Sequence, residues 1–390
     1  MRRSLIETLC SEPASSDLDR LISSDLTERD LLEVVTDLRS RYDQEVASAI
    51  AETALLRIRA RAKFPNPDHM LFDRPGLEQA SAHAVALHRV GRLPAADLIF
   101  DLGCGLGGDS MALTNLAPVV GLDTDPGRLR LAAHNCEVAG GVHRFHPVLA
   151  DVMTFTPAPS SVVFADPGRR TGARRLRGLA SYLPPVDSVI ERWRPHTETM
   201  AIKVAPGVEG HEVPDGAAIE WVSLDGALRE AVIWIGGPGE PGERRATVLP
   251  SGASITGPEP EDIPVASIDR YLHEPDDAVV RAGLVRCVAA EIGAALIDPA
   301  IAYLTSPAPS DHPMVTSYRI DAVMGFNLKR LRSRLAELDV GVVTIKKRGS
   351  PLTPEELRPR LRLRGSKRAT VVLTRPADGP LVAIGLDDEL

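Results

Sequence analysis

The sequence lacks the features that mark membrane, secreted and zinc-binding proteins. Among its 390 residues there is no run of about 18 consecutive apolar residues, so no membrane-spanning helix is expected. The basic residues Arg2 and Arg3 are not followed by an apolar stretch, which argues against a secretory leader. The four cysteines are far apart and lack metal-ligand spacing, which predicts neither disulfides nor a metal site. These absences predict a cytoplasmic protein with no membrane partner and no bound metal.

An excess of positive over negative charge is concentrated near the end of the chain, whereas the rest of the chain is acidic overall. Residues 319–375 contain 15 Lys and Arg against 5 Asp and Glu, a local net charge of +10. The whole chain carries −8, so the remaining residues carry −18. A basic module on an acidic chain predicts a polyanionic partner, and a solvated charged surface is the alternative.

The hydrophobic patterns predict three domains along the chain. Residues 1–85 show helical spacing of apolar residues and predict a helical N-terminal domain. Residues 86–250 alternate short β-rich runs with helical stretches, which predicts an α/β domain whose mainly parallel sheet has helices on both faces. Residues 236–262, rich in Gly, Pro and Glu, predict a turn-rich loop or linker. Residues 263–390 predict a further small α/β domain.

A glycine-rich turn begins the second domain. Asp101-Leu102-Gly103-Cys104-Gly105-Leu106-Gly107-Gly108-Asp109 follows a predicted strand and precedes a predicted helix. Glycines permit a tight turn and let a ligand approach the backbone closely. Dinucleotide sites use the same device, so the turn alone does not identify the ligand.

Three carboxylates follow successive predicted strands and narrow the choice. Asp101, where the first strand ends, suits an ammonium group better than the anionic pyrophosphate of a dinucleotide. Asp123, at the end of the next strand, can accept hydrogen bonds from both hydroxyls of a ribose. Asp151, after a third short strand, can accept a hydrogen bond from an adenine amino group. A dinucleotide site does not require this third acid.

In this order, over roughly residues 98–235, these motifs resemble those of class I S-adenosylmethionine-dependent methyltransferases. The resemblance implies an α/β fold with a Rossmann-like methyltransferase sheet, and S-adenosyl-L-methionine as the cofactor. The cofactor-binding residues it implies are Asp101, Gly103, Cys104, Gly105, Gly107, Asp109, Asp123, Thr124, Asp151, Val152 and Asp166.

Methyl transfer is predicted at Asp166-Pro167, which follows the fourth strand. Relatives that methylate amino groups have an Asp/Asn-Pro-Pro-aromatic motif there, and Gly168 and Arg169 replace its last two residues. Arg169 and Arg170 could hold phosphates at the mouth of the site, or they could form an exposed basic loop.

A second resemblance points to a ribose hydroxyl as the methyl acceptor. RNA ribose 2′-O-methyltransferases use a Lys-Asp-Lys-Glu tetrad, which Lys63, Asp166, Lys203 and Glu230 would match. A lysine whose pKa is lowered by nearby charge helps to deprotonate a hydroxyl, and carboxylates orient it. Alternatively, Lys203 and Glu230 are surface residues of edge strands. Base and ribose methylation both remain open, and Asp166, Pro167, Lys203 and Glu230 are the candidate catalytic residues.

Further segments resemble bacterial methyltransferases that end in a THUMP-like domain. They are Leu77-Glu78-Gln79-Ala80-Ser81, Ile345-Lys346-Lys347-Arg348-Gly349 and Leu363-Arg364-Gly365-Ser366-Lys367-Arg368-Ala369-Thr370. THUMP domains bind RNA in enzymes that modify tRNA and rRNA, so the resemblance implies an RNA partner, which the basic charge also supports. The C-terminal domain has no obvious aromatic platform, so phosphate and shape contacts are expected. The predicted RNA-binding residues are Arg169, Arg170, Lys346, Lys347, Arg348, Lys367 and Arg368.

The sequence therefore predicts an S-adenosylmethionine-dependent methyltransferase that acts on rRNA or tRNA. A small-molecule methyltransferase would leave the basic C-terminal domain unexplained. A catalytically degenerate RNA-binding protein is a further alternative, against which the intact Asp101, Asp123, Asp151 and Asp166 argue. A NAD-dependent dehydrogenase is the fourth. Neither the RNA, the methylated atom nor the oligomeric state follows from the sequence.

Overall fold

The computed structural model describes residues 1–24, 26–169, 178–377 and 379–387. The chain divides into two compact units. Unit 1 comprises Met1–Glu220 and Arg229–Glu243, and unit 2 comprises Trp221–Leu228 and Arg244–Leu390. No helix among the described residues is both long enough and apolar enough to cross a bilayer.

Unit 1 begins with helices and continues with alternating strands and helices. Its helices are α1 Arg3–Leu9, α2 Ala14–Ser23, α3 Leu31–Leu38, α4 Gln44–Ala60, α5 Arg74–Gln79, α6 His83–Arg92, α7 Gly108–Leu113, α8 Pro126–Val138 and α9 Val186–Trp193. The first nine strands of the chain are β1 Ile99–Leu102, β2 Val119–Asp123, β3 Phe145–Leu149, β4 Ser160–Ala165, β5 Gly168–Arg169, β6 Tyr182–Leu183, β7 Thr197–Val204, β8 Ala218–Leu224 and β9 Ala227–Ile235. The division between the units falls within β8 and β9.

A twisted sheet forms the centre of unit 1. Strands β3, β2, β1, β4 and β7 pair in parallel in that order, and β9 runs antiparallel beside β7. Successive side chains of a strand point to opposite faces. Ile99 accordingly shares a core with Leu113 of α7, while the Phe100 ring packs 5.3 Å from that of Trp193 in α9. Helices therefore cover both faces, as predicted.

The N-terminal helices have a core of their own that continues into the sheet segment. Leu18, Ile50 and Leu55, from α2 and α4, belong to one cluster of buried side chains. Leu106 and Met111, from the glycine-rich turn and α7, belong to the same cluster. The predicted helical character of residues 1–85 is confirmed, and within unit 1 these helices pack directly beside the turn.

Unit 2 contains all of the later strands among the described residues. They are β10 Arg244–Leu249, β11 Ala253–Thr256, β12 Tyr271–Pro275, β13 Ala295–Asp298, β14 Ile301–Ser306, β15 Val315–Arg319, β16 Ala322–Gly325, β17 Val340–Arg348, β18 Lys367–Thr374 and β19 Leu381–Leu386. Its helices are α10 Asp277–Ala282, α11 Val285–Glu291, α12 Leu328–Glu337 and α13 Pro354–Leu361.

The prediction of a turn-rich loop or linker over residues 236–262 is wrong. Strands β10 and β11 lie within it and form an antiparallel hairpin, in which Ala246 pairs with Ile255. Gly and Pro are concentrated at the strand ends, for example at Gly252, whose φ of +73° suits the turn. Because both strands are short, the average composition of the segment hid the buried apolar residues between the turns.

The C-terminal half of unit 2 is a small layered α/β structure. One sheet has the order β13-β14-β12-β15, and another has the order β16-β19-β18-β17, in which β17 and β18 are parallel. Helices α12 and α13 cover one face of the second sheet through Leu335 and Leu357. On its other face, Val372 packs with Leu272 and Tyr303 of the first sheet. The predicted fold class, a Rossmann-like sheet followed by a small α/β unit, is confirmed.

Candidate active site

A cavity of about 560 Å³ opens where β1, β2, β3 and β4 end. Ligands of open α/β sheets bind at this carboxyl edge. The cavity brings together the predicted residues Asp101, Gly103, Cys104, Gly105, Asp109, Asp123, Thr124, Asp151, Val152 and Asp166. Gln79 and Ala80 also line it. Neither was a predicted site residue, although both belong to the segment whose resemblance to bacterial methyltransferases was noted.

The glycine-rich turn supports the floor of the cavity. Gly103 and Gly107 have φ angles of +81° and +83°, in the left-handed region that favours glycine. Gly107 does not line the cavity; a Cβ atom there would lie 3.0 Å from Cα of Ala132 in α8. This glycine therefore allows the turn to pack closely against α8 and so places Gly103 and Gly105 at the cavity wall.

Asp101 is a buried carboxylate in the cavity wall, 1% exposed. Its Oδ2 accepts a hydrogen bond from the Ser110 hydroxyl, while Oδ1 has no hydrogen-bond partner among the described residues. Burial raises the pKa of Asp101 to about 8, and the carboxylates of Asp109 and Asp166 add to this effect. A buried oxygen without a partner is costly, so the wall has a place for a donor group at this point.

Asp123 and Asp151 are oriented by backbone N–H groups. Asp123 accepts hydrogen bonds from the backbone nitrogens of Gly105, at 3.1 Å, and Asp125, at 2.8 Å. Asp151, which is exposed, accepts one from the backbone nitrogen of Met153 at 2.8 Å. Each carboxylate oxygen can accept a further bond, so both groups remain available to a ligand in the cavity.

Arg89 is not among the predicted site residues, yet it organises the buried side of the site. Its guanidinium, 2% exposed, donates to Asp109 at 2.6 Å and to both oxygens of Glu230 at 2.8 and 3.0 Å. It also lies 4.7 Å above the Phe164 ring. Helix α6 buries Val85, Ala86 and Arg89 on one face, so an arginine on an apolar helix face was the available sequence signal.

Asp166 in the cavity wall forms an ion pair with Lys203 behind it. The Lys203 Nζ lies 2.7 Å from Asp166 Oδ2. Strand register explains the contact, because Ala165 at the end of β4 pairs with Ile202 of β7. These two tetrad candidates are therefore in contact, and Asp166 lines the cavity whereas Lys203 does not.

The charge state of Lys203 differs from the expectation for a hydroxyl-activating lysine. Burial alone would lower the pKa of Lys203, but the carboxylates of Asp166, Asp109 and Glu230 outweigh it and raise that pKa. The expected lowering of the Lys203 pKa is wrong, because the nearest charges are negative. Lys203 is consequently an ammonium ion at neutral pH.

The other two tetrad candidates have different partners. Glu230 is 3% exposed and is bonded to Arg89, with Ser81 Oγ at 3.3 Å. The Lys63 Nζ donates to the backbone oxygens of Leu77, Glu78 and Ala80 at 2.7 to 2.8 Å, which uses all three of its N–H groups. Lys63 therefore fixes the segment that carries Gln79 and Ala80 along the cavity.

The structure does not bring the predicted RNA-binding residues together in one patch. Lys346, Lys347 and Arg348 end β17, whereas Lys367 and Arg368 begin the parallel strand β18. Parallel strands start at the same edge of a sheet, so the two groups lie at opposite ends. The backbone of Arg169 pairs with that of Tyr182 in the β5–β6 ladder, and Arg170 lies outside the described residues.

Two curated relatives cover nearly the whole chain. Both are uncharacterized S-adenosylmethionine-dependent methyltransferases of Mycobacterium tuberculosis, from strains CDC 1551 / Oshkosh and ATCC 25618 / H37Rv. Each is 38% identical over 361 residues, which span 88% of this chain and 97% of the relative. This chain belongs to the S-adenosylmethionine-dependent methyltransferase family.

The methyltransferase also matches two family models over parts of its length, and its fold resembles that of a solved structure over most of its length. The family described as RNA cap guanine-N2 methyltransferase matches residues 96–179, and the family described as THUMP domain-like matches residues 315–385. A crystal structure assigned as a methyltransferase from Porphyromonas gingivalis W83 aligns with a TM-score of 0.75. It covers 93% of this chain and 100% of that one at 20% identity, which concerns the fold alone.

These findings confirm the predicted family, the predicted enzyme class and the predicted cofactor. S-adenosyl-L-methionine supplies a methyl group bonded to a positively charged sulfur. The cavity of the methyltransferase suits a cationic ligand, because five aspartates line it against a single arginine, Arg128, and one oxygen of Asp101 lacks a partner among the described residues.

Proposed function

We propose that this methyltransferase modifies RNA, either rRNA or tRNA. The observation that carries the proposal is the match of residues 315–385 to the THUMP domain-like family, in the part of the chain where residues 319–375 have a net charge of +10. A nucleic-acid-binding protein concentrates cations in this way, because phosphate contacts supply most of its affinity. A small-molecule substrate would not require such a module. We further propose that the enzyme acts in the cytoplasm.

We propose that different residues of the cavity bind different parts of the cofactor. Asp101 would hold the ammonium of the methionine portion, Asp123 the ribose hydroxyls and Asp151 the adenine amino group. Gly103, Cys104, Gly105, Thr124 and Val152 would contact the cofactor as parts of the wall, and Gly107 would support the turn. Asp109 would act through its ion pair with Arg89 at 2.6 Å.

We propose an exocyclic amino group of a nucleobase as the methyl acceptor. Asp166 is the carboxylate at the transfer position, and burial raises its pKa, which improves it as a proton acceptor. It would accept a hydrogen bond from the amino group and take up the proton lost after transfer. Pro167 would keep the following backbone rigid. The match of residues 96–179 to a family that methylates guanine N2 supports this choice.

A ribose 2′-hydroxyl is the second candidate acceptor, and the 2.7 Å contact of Lys203 with Asp166 favours it. Its weakness is that a protonated Lys203 cannot remove a proton from a hydroxyl. Glu230 and Lys63, the remaining tetrad residues, are engaged by Arg89 and by backbone oxygens. We therefore propose that Lys203 positions Asp166 and that Glu230 has a structural role.

The proposal is tested by nucleoside mass spectrometry of RNA from a deletion strain. One methylated nucleoside should disappear from rRNA or tRNA, and its fragmentation should show methyl on the base rather than on the ribose. Wild-type enzyme should restore it, and the Asp166→Ala variant should not. An unchanged set of RNA nucleosides, with methyl transfer by the purified enzyme to a small molecule, would refute the RNA proposal.

The pH dependence of cofactor affinity tests the assignment of Asp101. Below about pH 8 Asp101 is largely protonated in the free enzyme, because burial raises its pKa to about 8. A bound ammonium favours the carboxylate, so binding releases a proton and tightens as pH rises, by up to about tenfold per unit. The rise should run from about pH 6 to 7.5, below the pKa of a free α-amino group.

Calorimetry on two variants separates Asp101 from its neighbours. Asp101→Asn should bind S-adenosylmethionine more weakly and with little pH dependence. Asp123→Asn is the matched control and should weaken binding by about 1–3 kcal/mol while keeping the pH dependence. An Asp101→Asn variant with an undiminished pH profile would place the titrating group elsewhere.

A further inference from the structure

The THUMP-like part of the chain has two basic ends that the strand register keeps apart. Lys367 of β18 pairs with Val340, and Arg348 of β17 pairs with Thr374, so the two ends are separated by the length of β18. Seven residue steps at about 3.3 Å each amount to roughly 23 Å. One compact phosphate-binding patch therefore cannot include both ends. The end that binds phosphate should be the one whose cations are not already paired with acidic side chains.

At the end of β17, two of the cations form ion pairs with acidic side chains. The Lys346 Nζ lies 2.9 Å from Glu274 Oε2, and Arg348 lies 3.3 Å from Asp277 and 5.4 Å from the centroid of the Tyr303 ring. The Arg348 side chain is 18% exposed. Phosphate binding here would have to break existing ion pairs, so this end gains little from a polyanion.

The opposite end presents exposed cations in the segment 360–368, which we call the basic loop. Its exposed cations are Arg360, Arg362, Arg364, Lys367 and Arg368. Among the described residues none of these five cations forms a salt bridge within 4.0 Å, although the Asp339 carboxylate bonds to Ser366 and Glu356 lies close enough to interact with Arg360. We propose that the basic loop is the RNA-binding surface of the THUMP-like part, an inference that rests on the proposed RNA substrate.

Residues 365–367 of the basic loop are attached to the start of β17 by three hydrogen bonds. Gly365 N donates to the Val340 oxygen at 3.2 Å, Lys367 N donates to the Asp339 oxygen at 2.9 Å, and the Ser366 hydroxyl donates to the Asp339 carboxylate at 2.5 Å. A Cβ atom on Gly365 would lie 2.1 Å from the Asp339 backbone. These contacts restrain the backbone beside Arg364 and Lys367, and a restrained backbone loses less conformational freedom on binding, which favours affinity.

Arg362 occupies a backbone position that favours glycine. It follows α13 in the left-handed conformation, with φ of +55° and ψ of +48°. Glycine is the usual residue at such a helix end, because a Cβ atom makes this conformation unfavourable. A cation at a helix C-terminus interacts favourably with the helix dipole, but by about 1 kcal/mol or less when it is exposed, so the charge of Arg362 remains available to a ligand.

The basic loop fits a phosphate backbone rather than unstacked bases. The segment 360–368 reads Arg-Leu-Arg-Leu-Arg-Gly-Ser-Lys-Arg and contains no aromatic residue on which a base could stack. Cations without aromatic partners bind phosphates with little sequence preference. The loop would therefore anchor a folded RNA, while the choice of nucleotide would be made at the methyl-transfer site.

The test measures binding of the full-length enzyme to bulk bacterial tRNA and to ribosomal RNA by fluorescence anisotropy between about 50 and 200 mM salt. The loop variant is Arg362→Gly with Arg364→Ala and Lys367→Ala. The charge-matched control is Lys329→Ala with Arg330→Ala and Arg375→Ala, three exposed cations at or near the opposite end. Arg362→Gly alone should keep or raise Tm, which separates a binding defect from a folding defect.

We expect the loop variant to bind about tenfold or more weakly and to lower the slope of log affinity against log salt by about 2 to 3. The control variant should keep the wild-type RNA affinity and the wild-type salt slope. Both variants should bind S-adenosylmethionine as the wild type does. If the control variant binds RNA more weakly than the wild type and the loop variant does not, the assignment of the RNA-binding surface is overturned. Absence of wild-type RNA binding would instead overturn the proposed function. Loop-dependent binding to phosphatidylserine vesicles, together with RNA binding that the loop variant retains, would assign the loop to an anionic membrane and refute RNA.

Discussion

Asp166→Ala is expected to abolish methyl transfer, with a rate at least about 10²–10⁴-fold below wild type in single-turnover assays. Asp166 lines the cavity beside Gly103 and is the carboxylate at the transfer position under both candidate chemistries. Asp166→Asn keeps an acceptor oxygen but cannot take up a proton, so it separates hydrogen bonding from proton acceptance. Cofactor affinity, measured in parallel, should stay within a few-fold of wild type in the asparagine variant.

Lys203→Ala distinguishes the two acceptors within the same experiment. If the acceptor is a base amino group, the lysine only positions Asp166, and the rate should fall modestly. If it is a ribose hydroxyl, the loss should reach about 10²–10⁴-fold. Lys203→Arg keeps the positive charge and should recover most activity in the positioning role. A Lys203→Ala rate as low as that of Asp166→Ala would contradict the proposed base methylation.

Arg89→Met is expected to destabilise the enzyme by about 3–5 kcal/mol, the usual cost of leaving buried charges without their partner. Methionine has a similar length, so little packing volume is lost. The substitution leaves Asp109 and Glu230, both nearly buried, without the guanidinium that binds them. Urea unfolding followed by circular dichroism measures the change, provided that the m-value is unchanged.

The control for Arg89→Met is the same substitution at Arg3, which forms an exposed pair with Glu7 in α1. An exposed pair of this kind contributes less than about 1 kcal/mol. Adding Glu230→Gln to Arg89→Met should restore part of the lost stability, because one buried charge without a partner is removed. A loss below about 1 kcal/mol in Arg89→Met would show that water reaches these carboxylates.

Much of the cofactor site follows from local sequence. The turn from Gly103 to Gly107 lies between a strand and a helix, and Asp123 and Asp151 each follow a later strand. Parallel neighbouring strands place their carboxyl ends at one edge, so residues that follow them meet without any knowledge of distant contacts. The same rule predicts the approach of Lys203 to Asp166.

Amino-acid composition could not predict the short strands that lie within a turn-rich segment. Residues 236–262 predict a loop because Gly and Pro dominate the average, yet Ala246 and Ile255 pair in a hairpin. A strand of four to six residues bounded by turns gives too few positions for its alternation to stand out.

The sequence by itself determined the alternation of strands and helices, the glycine-rich turn and the acids at the strand ends, because each depends on residues close together in the chain. Only the tertiary structure decided the charge states and partners. Arg89 binds Glu230, which is 141 positions away in the chain. The carboxylates around Lys203 keep that lysine protonated, and Glu274 forms an ion pair with Lys346. Electrostatic interactions depend on distance and burial in space, which residue type and local spacing do not specify.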